Sequence, residues 1–422
     1  MSAARMLVFL VLMVTLLGAI NAQVFRWARN SLELGARGRR VLKLVLVTSL
    51  VGMVLGRVAG RFWPGALTGG FVAVVSTVEL AVVISGVLLL GADGMRLLWG
   101  LIGRFRNDYE TSPPARLAAS REPSRASVAP PVAEELPRRL FLTRAAAGSA
   151  FLVGGSSALY GALKGRHDYS LEQVPFKIPG LAPGLSGFSI AQLSDVHIGV
   201  YVGDAELAIA EHLLRQAKPD LIVLTGDLLD NDPRLAPQLG RFVRRLVPLA
   251  RRGVVAISGN HDYFAGVEEM ASAVRGAGAR VLRNDSLVIG DGAAGFALLG
   301  VDDVWAQREG GGPDLRRAVA ALPKLGGLVA PARDLPRVLL CHNPSFFAEA
   351  AGSVALQISG HTHGGQVNLG LRPADYLLPG GWVAGRYDQD GSILYVNRGF
   401  GTVGPPARLG APPEVTRIVL TA

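Results

Sequence analysis

The chain has 422 residues, half of them hydrophobic, and a single cysteine, Cys341, which excludes an intramolecular disulfide. Residues 1–166 hold 20 Lys and Arg against 8 Asp and Glu, a surplus of +12, whereas residues 167–422 hold 23 against 25, or −2. The basic surplus therefore belongs to the N-terminal part, and nucleic acid is not an expected partner of the remainder, which lacks one; the length suits a membrane part and one sizeable catalytic domain.

Three apolar runs, 6–25, 41–59 and 66–90, each approach the ~20 residues that cross a bilayer. A cleaved signal peptide would explain only the first. Residues 97–102 are too few to span and are expected at the membrane interface. Residues 1–105 thus read as a membrane region with three transmembrane helices. Residues 106–137, rich in Pro, Ala, Ser and charge, read as a flexible linker. Residues 138–166 open with Arg138-Arg139-Leu140-Phe141-Leu142 and continue in a weakly apolar run, 145–163, which reads as a fourth membrane helix. The arginine pair with this helix resembles a twin-arginine signal in an internal position. Taken alone, Arg138 and Arg139 are cytoplasmic anchors of a fourth span.

Arg26, Arg29, Arg37, Arg39, Arg40 and Lys43 crowd the first loop, while the turn near residue 60 has only Arg57 and Arg61. The positive-inside rule puts that loop and the linker in the cytoplasm. Residues 167–422 are then expected on the extracytoplasmic face of a multi-pass cell-membrane protein. Glu79 lies within the third span and is expected to be a hydrogen-bonded packing residue, although an intramembrane carboxylate is a functional candidate by default.

Five polar motifs punctuate the C-terminal part: Asp195-Val196-His197, Gly226-Asp227, Gly259-Asn260-His261-Asp262, Cys341-His342 and Gly360-His361-Thr362-His363. They hold five of the seven histidines. Each follows a short apolar run (188–193, 221–224, 254–257, 338–340, 354–358) that reads as a buried strand of a parallel or mixed sheet. Side chains at carboxyl ends of such strands form the sites of open α/β sheets. His167 and His212 fall outside the set, on a juxtamembrane stretch and a helix. Cys341 reads as a small buried apolar residue.

The ordered set resembles the calcineurin-like metallophosphoesterase superfamily from about Ser189 to the C-terminus. Gly360-His361-Thr362-His363-Gly364-Gly365-Gln366-Val367 and Tyr395-Val396-Asn397-Arg398-Gly399 are similar to its bacterial membrane-associated branch, whose members often carry twin-arginine signals. Asp230-Asn231-Asp232 and the closing Asp262 depart from the protein phosphatases of the superfamily. The resemblance implies an α/β fold, a four-layer α/β/β/α sandwich, behind the α-helical transmembrane region. It implies one metal on Asp195, His197, Asp227 and His363, and a second on Asp227, Asn260, His342 and His361. His261 would face the leaving group, with Asp262 or another carboxylate orienting it. The segment Gly300-Val301-Asp302-Asp303 also resembles a family segment near the site.

The chemistry suits those residues. Two cations ~3.5–4 Å apart neutralise phosphate oxygens and acidify a bridging water. Carboxylate and imidazole without thiolate suit Mn, Fe, Zn or Co. The expected function is a membrane-anchored binuclear phosphohydrolase, foremost a phosphodiesterase using a metal-bridging water. Its partners are a phosphoester substrate, lipid included, and the membrane, with no obligate protein partner evident. A lipid-linked or nucleotide-sugar pyrophosphatase, which would need a cytoplasmic domain, and a non-catalytic metal-binding sensor are the alternatives.

Overall fold

The computed structural model describes residues 3–63, 66–107, 138–291, 294–322 and 334–422. From residue 108 onward, the expected linker lies outside them. Four long helices come first: α1 (Ala3–Ser31), α2 (Ala36–Phe62), α3 (Ala66–Asn107) and α4 (Arg138–Leu163). Among the described residues four stretches are long and apolar enough to cross a membrane: Val11–Ser31, Ala36–Gly60, Leu67–Trp99 and Leu140–His167. Residues 97–102, expected at the membrane interface, form part of the C-terminal portion of α3. Leu97, Leu98 and Leu101 are strong helix formers, and no Pro intervenes to stop the helix.

The chain divides into two compact units, Ser2–Val54 with Val78–Ala158, and Leu55–Thr77 with Leu159–Ala422. In the first, Ile20, Val24, Trp27, Leu46, Val82 and Leu89 form an apolar core. Glu79 is buried there and accepts from Asn21 Nδ2 at 2.7 Å and Ser49 Oγ at 2.8 Å. Both oxygens are occupied, as a packing role requires.

The second unit carries β1 (Ser170–Lys177), β2 (Ser189–Leu193), α5 (Asp204–Ala217), β3 (Leu221–Thr225), α6 (Ala236–Leu246), β4 (Val254–Ile257), α7 (Asn260–Ala265), α8 (Val267–Gly276) and β5 (Arg280–Val281). There follow β6 (Asp285–Asp291), β7 (Ala294–Gly300), α9 (Leu315–Ala320), β8 (Arg337–Leu340), α10 (Phe347–Ala350) and β9 (Leu356–Ser359). The unit ends with α11 (Ala374–Leu377), β10 (Gly385–Gln389), β11 (Ser392–Val396) and β12 (Glu414–Thr421).

Two mixed six-stranded sheets result, in the orders β1-β12-β2-β3-β4-β5 and β10-β11-β9-β8-β7-β6. In the first, β2, β3, β4 and β5 run parallel while β12 is antiparallel to β2. In the second, β7, β8, β9 and β11 are parallel, flanked by antiparallel β6 and β10.

Side-chain alternation sorts the layers. On β3, Leu221 and Val223 enter a core shared with Phe296, Leu298, Val338, Leu340, Leu356 and Ile358 of the other sheet. Ile222 and Leu224 face Leu207, Leu214, Phe242, Val243 and Met270 of α5, α6 and α8 instead. On the far side, Leu299 and Leu339 pack with Ala318 of α9 and Ala350 of α10. Helices, sheet, sheet and helices make the expected four layers. Strands buried on both faces explain why they read as unbroken apolar runs. Each large side chain buried here contributes about 1.5–3 kcal/mol.

The helices follow from their sequences. In α5, Leu207, Ala210, Leu214 and Ala217 recur on one face, Glu206 accepts from Gly203 N at 2.9 Å, and Lys218 in a left-handed conformation ends the helix.

Candidate metal centre

All five motifs sit at carboxyl ends of strands, three on one sheet and two on the other. β2 leads to Asp195 and His197, β3 to Asp227, and β4 to Asn260 and His261 at the start of α7. From the second sheet, β8 leads to His342, and β9 to His361 and His363. The chain must turn abruptly at each place. Asp195, His197, Asp227, His361 and His363 all have φ between 51° and 74°, in the left-handed region. Asp and His tolerate that region better than most residues, yet each such residue stores about 1–3 kcal/mol of strain.

Close approach fixes the neighbouring glycines. A Cβ on Gly226, whose φ is +86°, would lie 2.7 Å from His342 Nδ1. One on Gly360 would lie 2.0 Å from Ser194 Oγ and 2.2 Å from Asp195 Oδ2.

Two clusters of donor atoms flank Asp227 Oδ2, Asp195–His197–His363 and Asp227–His342–His361, and a third, His197–Asp230–His261, shares His197 with the first; the atoms of each lie within 4.8 Å of one another. His197 Nε2 lies 3.1 Å from His363 Nε2. His361 Nδ1 lies 3.2 Å from His342 Nε2. Asp227 Oδ2 faces both clusters, 3.2 Å from His342 Nε2 and 3.7 Å from His197 Nε2. Its Oδ1 accepts from His261 N at 2.7 Å. Asp195 is aimed by Ser194 Oγ at 2.6 Å and by His361 N at 2.9 and 3.0 Å.

These residues fit a cation by two observations. Asn260 Oδ1 is buried and makes no hydrogen bond, the condition that a metal ligand relieves. His342 Nδ1 is committed to Thr225 O at 2.8 Å, which leaves Nε2, 3.2 Å from Asp227 Oδ2, as the ring atom available to a cation.

The electrostatics agree with a cation-binding pocket. Burial resists charging of His342, but Asp227, Asp195 and Asp303 outweigh it and raise it well above the ordinary histidine range. Burial, reinforced by His342, pushes His361 down to about 4. Burial likewise lowers His363 strongly, aided by His197 and Arg408. Asp227 is held well below the usual carboxylate range because His342 and His197 outweigh its burial.

His261 belongs to the third cluster, its ring 4.6 Å from that of His197, and is partly exposed. Its Nδ1 donates to Asp230 O at 2.9 Å and lies 3.4 Å from Asp230 Oδ1. Burial opposes protonation, but Asp230 and Asp227 raise the ring to about 9. Asp230 also lies 3.6 Å from His197 Nδ1. The carboxylate beside His261 is therefore Asp230 rather than Asp262. Asp262 instead accepts from Leu228 N and Leu229 N on Oδ1, at 2.9 and 3.0 Å, and from Gly259 N on Oδ2 at 2.9 Å. Its carboxyl ties the loop after Asp227 to the loop before Asn260. Nothing in Asp230-Asn231-Asp232 distinguishes Asp230 from an ordinary turn residue in the sequence.

Arg408 is a second residue that the sequence does not announce. It is fully buried and donates to the carbonyls of Arg398 (2.7 Å), Ala411 (3.0 Å), Gly399 (3.1 Å) and Gly401 (2.5 Å). Its Nη2 also lies 3.2 Å from His363 Nδ1. Arg has no acceptor, so that contact makes Nδ1 the acceptor.

The remaining candidates lie outside these clusters. Asp302 accepts from Ser258 Oγ at 2.8 Å and Tyr263 OH at 2.7 Å. Asp303 accepts from Trp305 N at 2.7 Å, and burial raises it to about 6. Cys341 is buried, and His212 pairs with Gln216 on α5.

Known proteins share this arrangement of sequence. The calcineurin-like phosphoesterase family matches residues 188–365. An uncharacterized metallophosphoesterase of Bacillus subtilis, YkuE, is 31% identical over 303 residues, covering 68% of this chain and 98% of that protein. Phosphodiesterase YaeI of Escherichia coli is 32% identical over 240 residues, covering 55% of this chain and 82% of YaeI. A Bos taurus protein described as a transmembrane protein with metallophosphoesterase domain is 29% identical over 280 residues, or 63% of this chain and 60% of that protein. The chain belongs to the calcineurin-like metallophosphoesterase family and is a metal-dependent phosphoester hydrolase.

Proposed function

We propose that the protein is a membrane-anchored phosphodiesterase with two divalent metals, acting on the extracytoplasmic face. The observation that carries this reading is Asp227 Oδ2, which faces a donor cluster on either side at 3.2 and 3.7 Å. One carboxylate serving two clusters is the requirement of a binuclear site. In this reading Asp195, His197, Asp227 and His363 hold one ion, and Asp227, Asn260, His342 and His361 hold the other, drawn from Mn, Fe, Zn or Co. Bound ions supply charge neutralisation at the phosphoryl oxygens and a water acidic enough to serve as nucleophile near pH 7.

The protein groups divide the remaining work. Asp227 Oδ1 fixes the backbone of His261, and Asp230 fixes its ring, leaving Nε2 as the outward donor. Raised to about 9, the ring is imidazolium at neutral pH and holds the proton that a departing alkoxide needs. Asp262 and Arg408 keep the ligand loops in register.

Membrane anchoring rests on the four apolar helices. Two observations support the extracytoplasmic side. The first loop is rich in arginine. At the opposite end of α2, where α3 begins, a methyl group on Gly69 would lie 3.4 Å from Val200 Cγ1 of the catalytic fold. Paired Arg138 and Arg139 at the start of α4 fit either a twin-arginine signal or plain cytoplasmic anchors, and both give this side.

The test uses the full chain, stripped of metal in detergent and titrated with manganese, beside Asp227→Asn. Metal-restored hydrolysis of bis(p-nitrophenyl) phosphate, exceeding that of the monoester and absent in the variant, is expected. Two bound metals without hydrolysis of either ester would defeat the reading. A reporter fused after Ala422 that is active only in the cytoplasm would overturn the assigned side and favour the nucleotide-sugar pyrophosphatase alternative.

A further inference from the structure

The chain leaves the metal centre through His363 and enters a segment, 366–378, that breaks the usual surface pattern. Leu371, Tyr376 and Leu377 are 74%, 84% and 79% exposed, and Leu369 and Leu378 are exposed beside them. Soluble surfaces rarely gather apolar residues so densely without a partner. The segment has little free charge to oppose burial, because Arg372 Nε pairs with Asp375 Oδ1 at 2.6 Å.

Its base is tied to the point where α4 ends. Asn368 N donates to Leu409 O and Leu409 N to Gln366 O, both at 2.8 Å. The next residue back, Arg408, donates its N–H to Gly161 O in the last turn of α4 at 3.1 Å. A Cβ on Gly161 would lie 3.2 Å from Leu409 Cγ. All of these residues belong to one compact unit. In the same unit, α2 ends at exposed Phe62, and exposed Trp63 follows it; Trp gathers at the headgroup level of membranes.

We propose that segment 366–378 is an interfacial anchor, with Leu371, Tyr376 and Leu377 seated in the headgroup region of the bilayer that α4 crosses. The segment begins three residues after His363. It therefore brings the bilayer surface to the metal centre, and the substrate class is the phosphodiester of a bilayer phospholipid. The anchor stands on geometry; the substrate class rests on the phosphodiesterase reading.

The experiment uses the full chain in phosphatidylcholine–phosphatidylglycerol nanodiscs. Leu377→Cys is labelled with a polarity-sensitive fluorophore, with Arg241→Cys on exposed α6 as the aqueous control; buried Cys341 stays in place. Nitroxide-bearing lipid should quench the label at 377, and iodide should quench it several-fold less than at 241. Equal iodide quenching at the two positions overturns the anchor. Shielding from both quenchers also overturns it, since a protein would then cover the segment.

The activity arm compares wild type with Leu371→Ser/Tyr376→Ser/Leu377→Ser. Hydrolysis of phospholipid in the nanodisc should fall about tenfold, while hydrolysis of soluble bis(p-nitrophenyl) phosphate stays within about twofold. Equal effects on the two substrates overturn the delivery of lipid. If wild type hydrolyses neither, the phosphodiesterase reading fails, and the fluorescence result still decides the anchor.

Discussion

Replacing Asp262 by Ala separates a strut from a catalyst. Its carboxylate is buried and accepts from three backbone N–H groups, those of Leu228, Leu229 and Gly259. Each donor left unpaired in the interior costs about 1–3 kcal/mol. Part of that is recovered, because burial and the charge of Asp227 already push the carboxyl up to about 7 and make it costly to ionise. A net loss of about 2–4 kcal/mol follows. With a urea slope of about 3 kcal/mol per M, the midpoint of the catalytic unit should fall by about 1 M. Asp262→Asn keeps one acceptor oxygen but sets an amide N–H₂ against another N–H, and should lose about 1–3 kcal/mol. Urea unfolding of the metal-free full chain in detergent measures the loss, and amide hydrogen exchange at Leu228, Leu229 and Gly259 locates it. The reasoning fails if Asp262→Asn unfolds and exchanges like wild type yet turns over nothing. Its carboxylate would then act on the reaction itself.

Other expectations concern the centre more directly. Asp227→Asn removes the charge that faces both clusters and should abolish hydrolysis and lower bound metal, as measured by elemental analysis; undiminished metal would refute its bridging place. His261→Ala should cut turnover by about 10²–10⁴ with metal retained, most steeply for esters with basic leaving groups; a loss independent of leaving group would contradict a proton-donor role. Asp230→Asn should give the same leaving-group trend in weaker form. Arg408→Met leaves five carbonyls, those of Arg398, Gly399, Gly401, Ala411 and His363, without their buried donor and should destabilise the catalytic unit by at least about 3 kcal/mol in calorimetry. Retained stability would show that water takes its place.

The strands that carry the site were legible because each is buried on both faces and ends at a Gly or polar motif. The five apolar runs coincide with β2, β3, β4, β8 and β9 to within about two residues. β1 was not legible. Its sequence, Ser-Leu-Glu-Gln-Val-Pro-Phe-Lys, alternates imperfectly and becomes a strand by pairing parallel with β12, from Ser170 with Glu414 to Lys177 with Thr421. No local pattern encodes a partner at that separation. Asp230 and Arg408 were hidden for a related reason. A polar turn residue and an arginine near the C-terminus acquire their places only when the sheets assemble. Adjacency misled in the case of Asp262. Along α7 it neighbours His261 in sequence, but successive helical residues point about 100° apart, so its carboxylate turns into the protein instead.

The left-handed backbone at Asp195, His197, Asp227, His361 and His363 also shapes how the domain would decay. Two filters act at each position, one conformational and one chemical. The backbone admits Gly freely and Asn, Asp and His at less cost than other residues; hydrolysis demands a carboxylate or an imidazole. Drift that abandons catalysis is released from the second filter but not from the first. Descendants that have lost the activity should therefore carry Asn or Gly at these five places far more often than Val, Ile or Leu. The ancestry of a silent copy would stay written in its turns after its chemistry had gone.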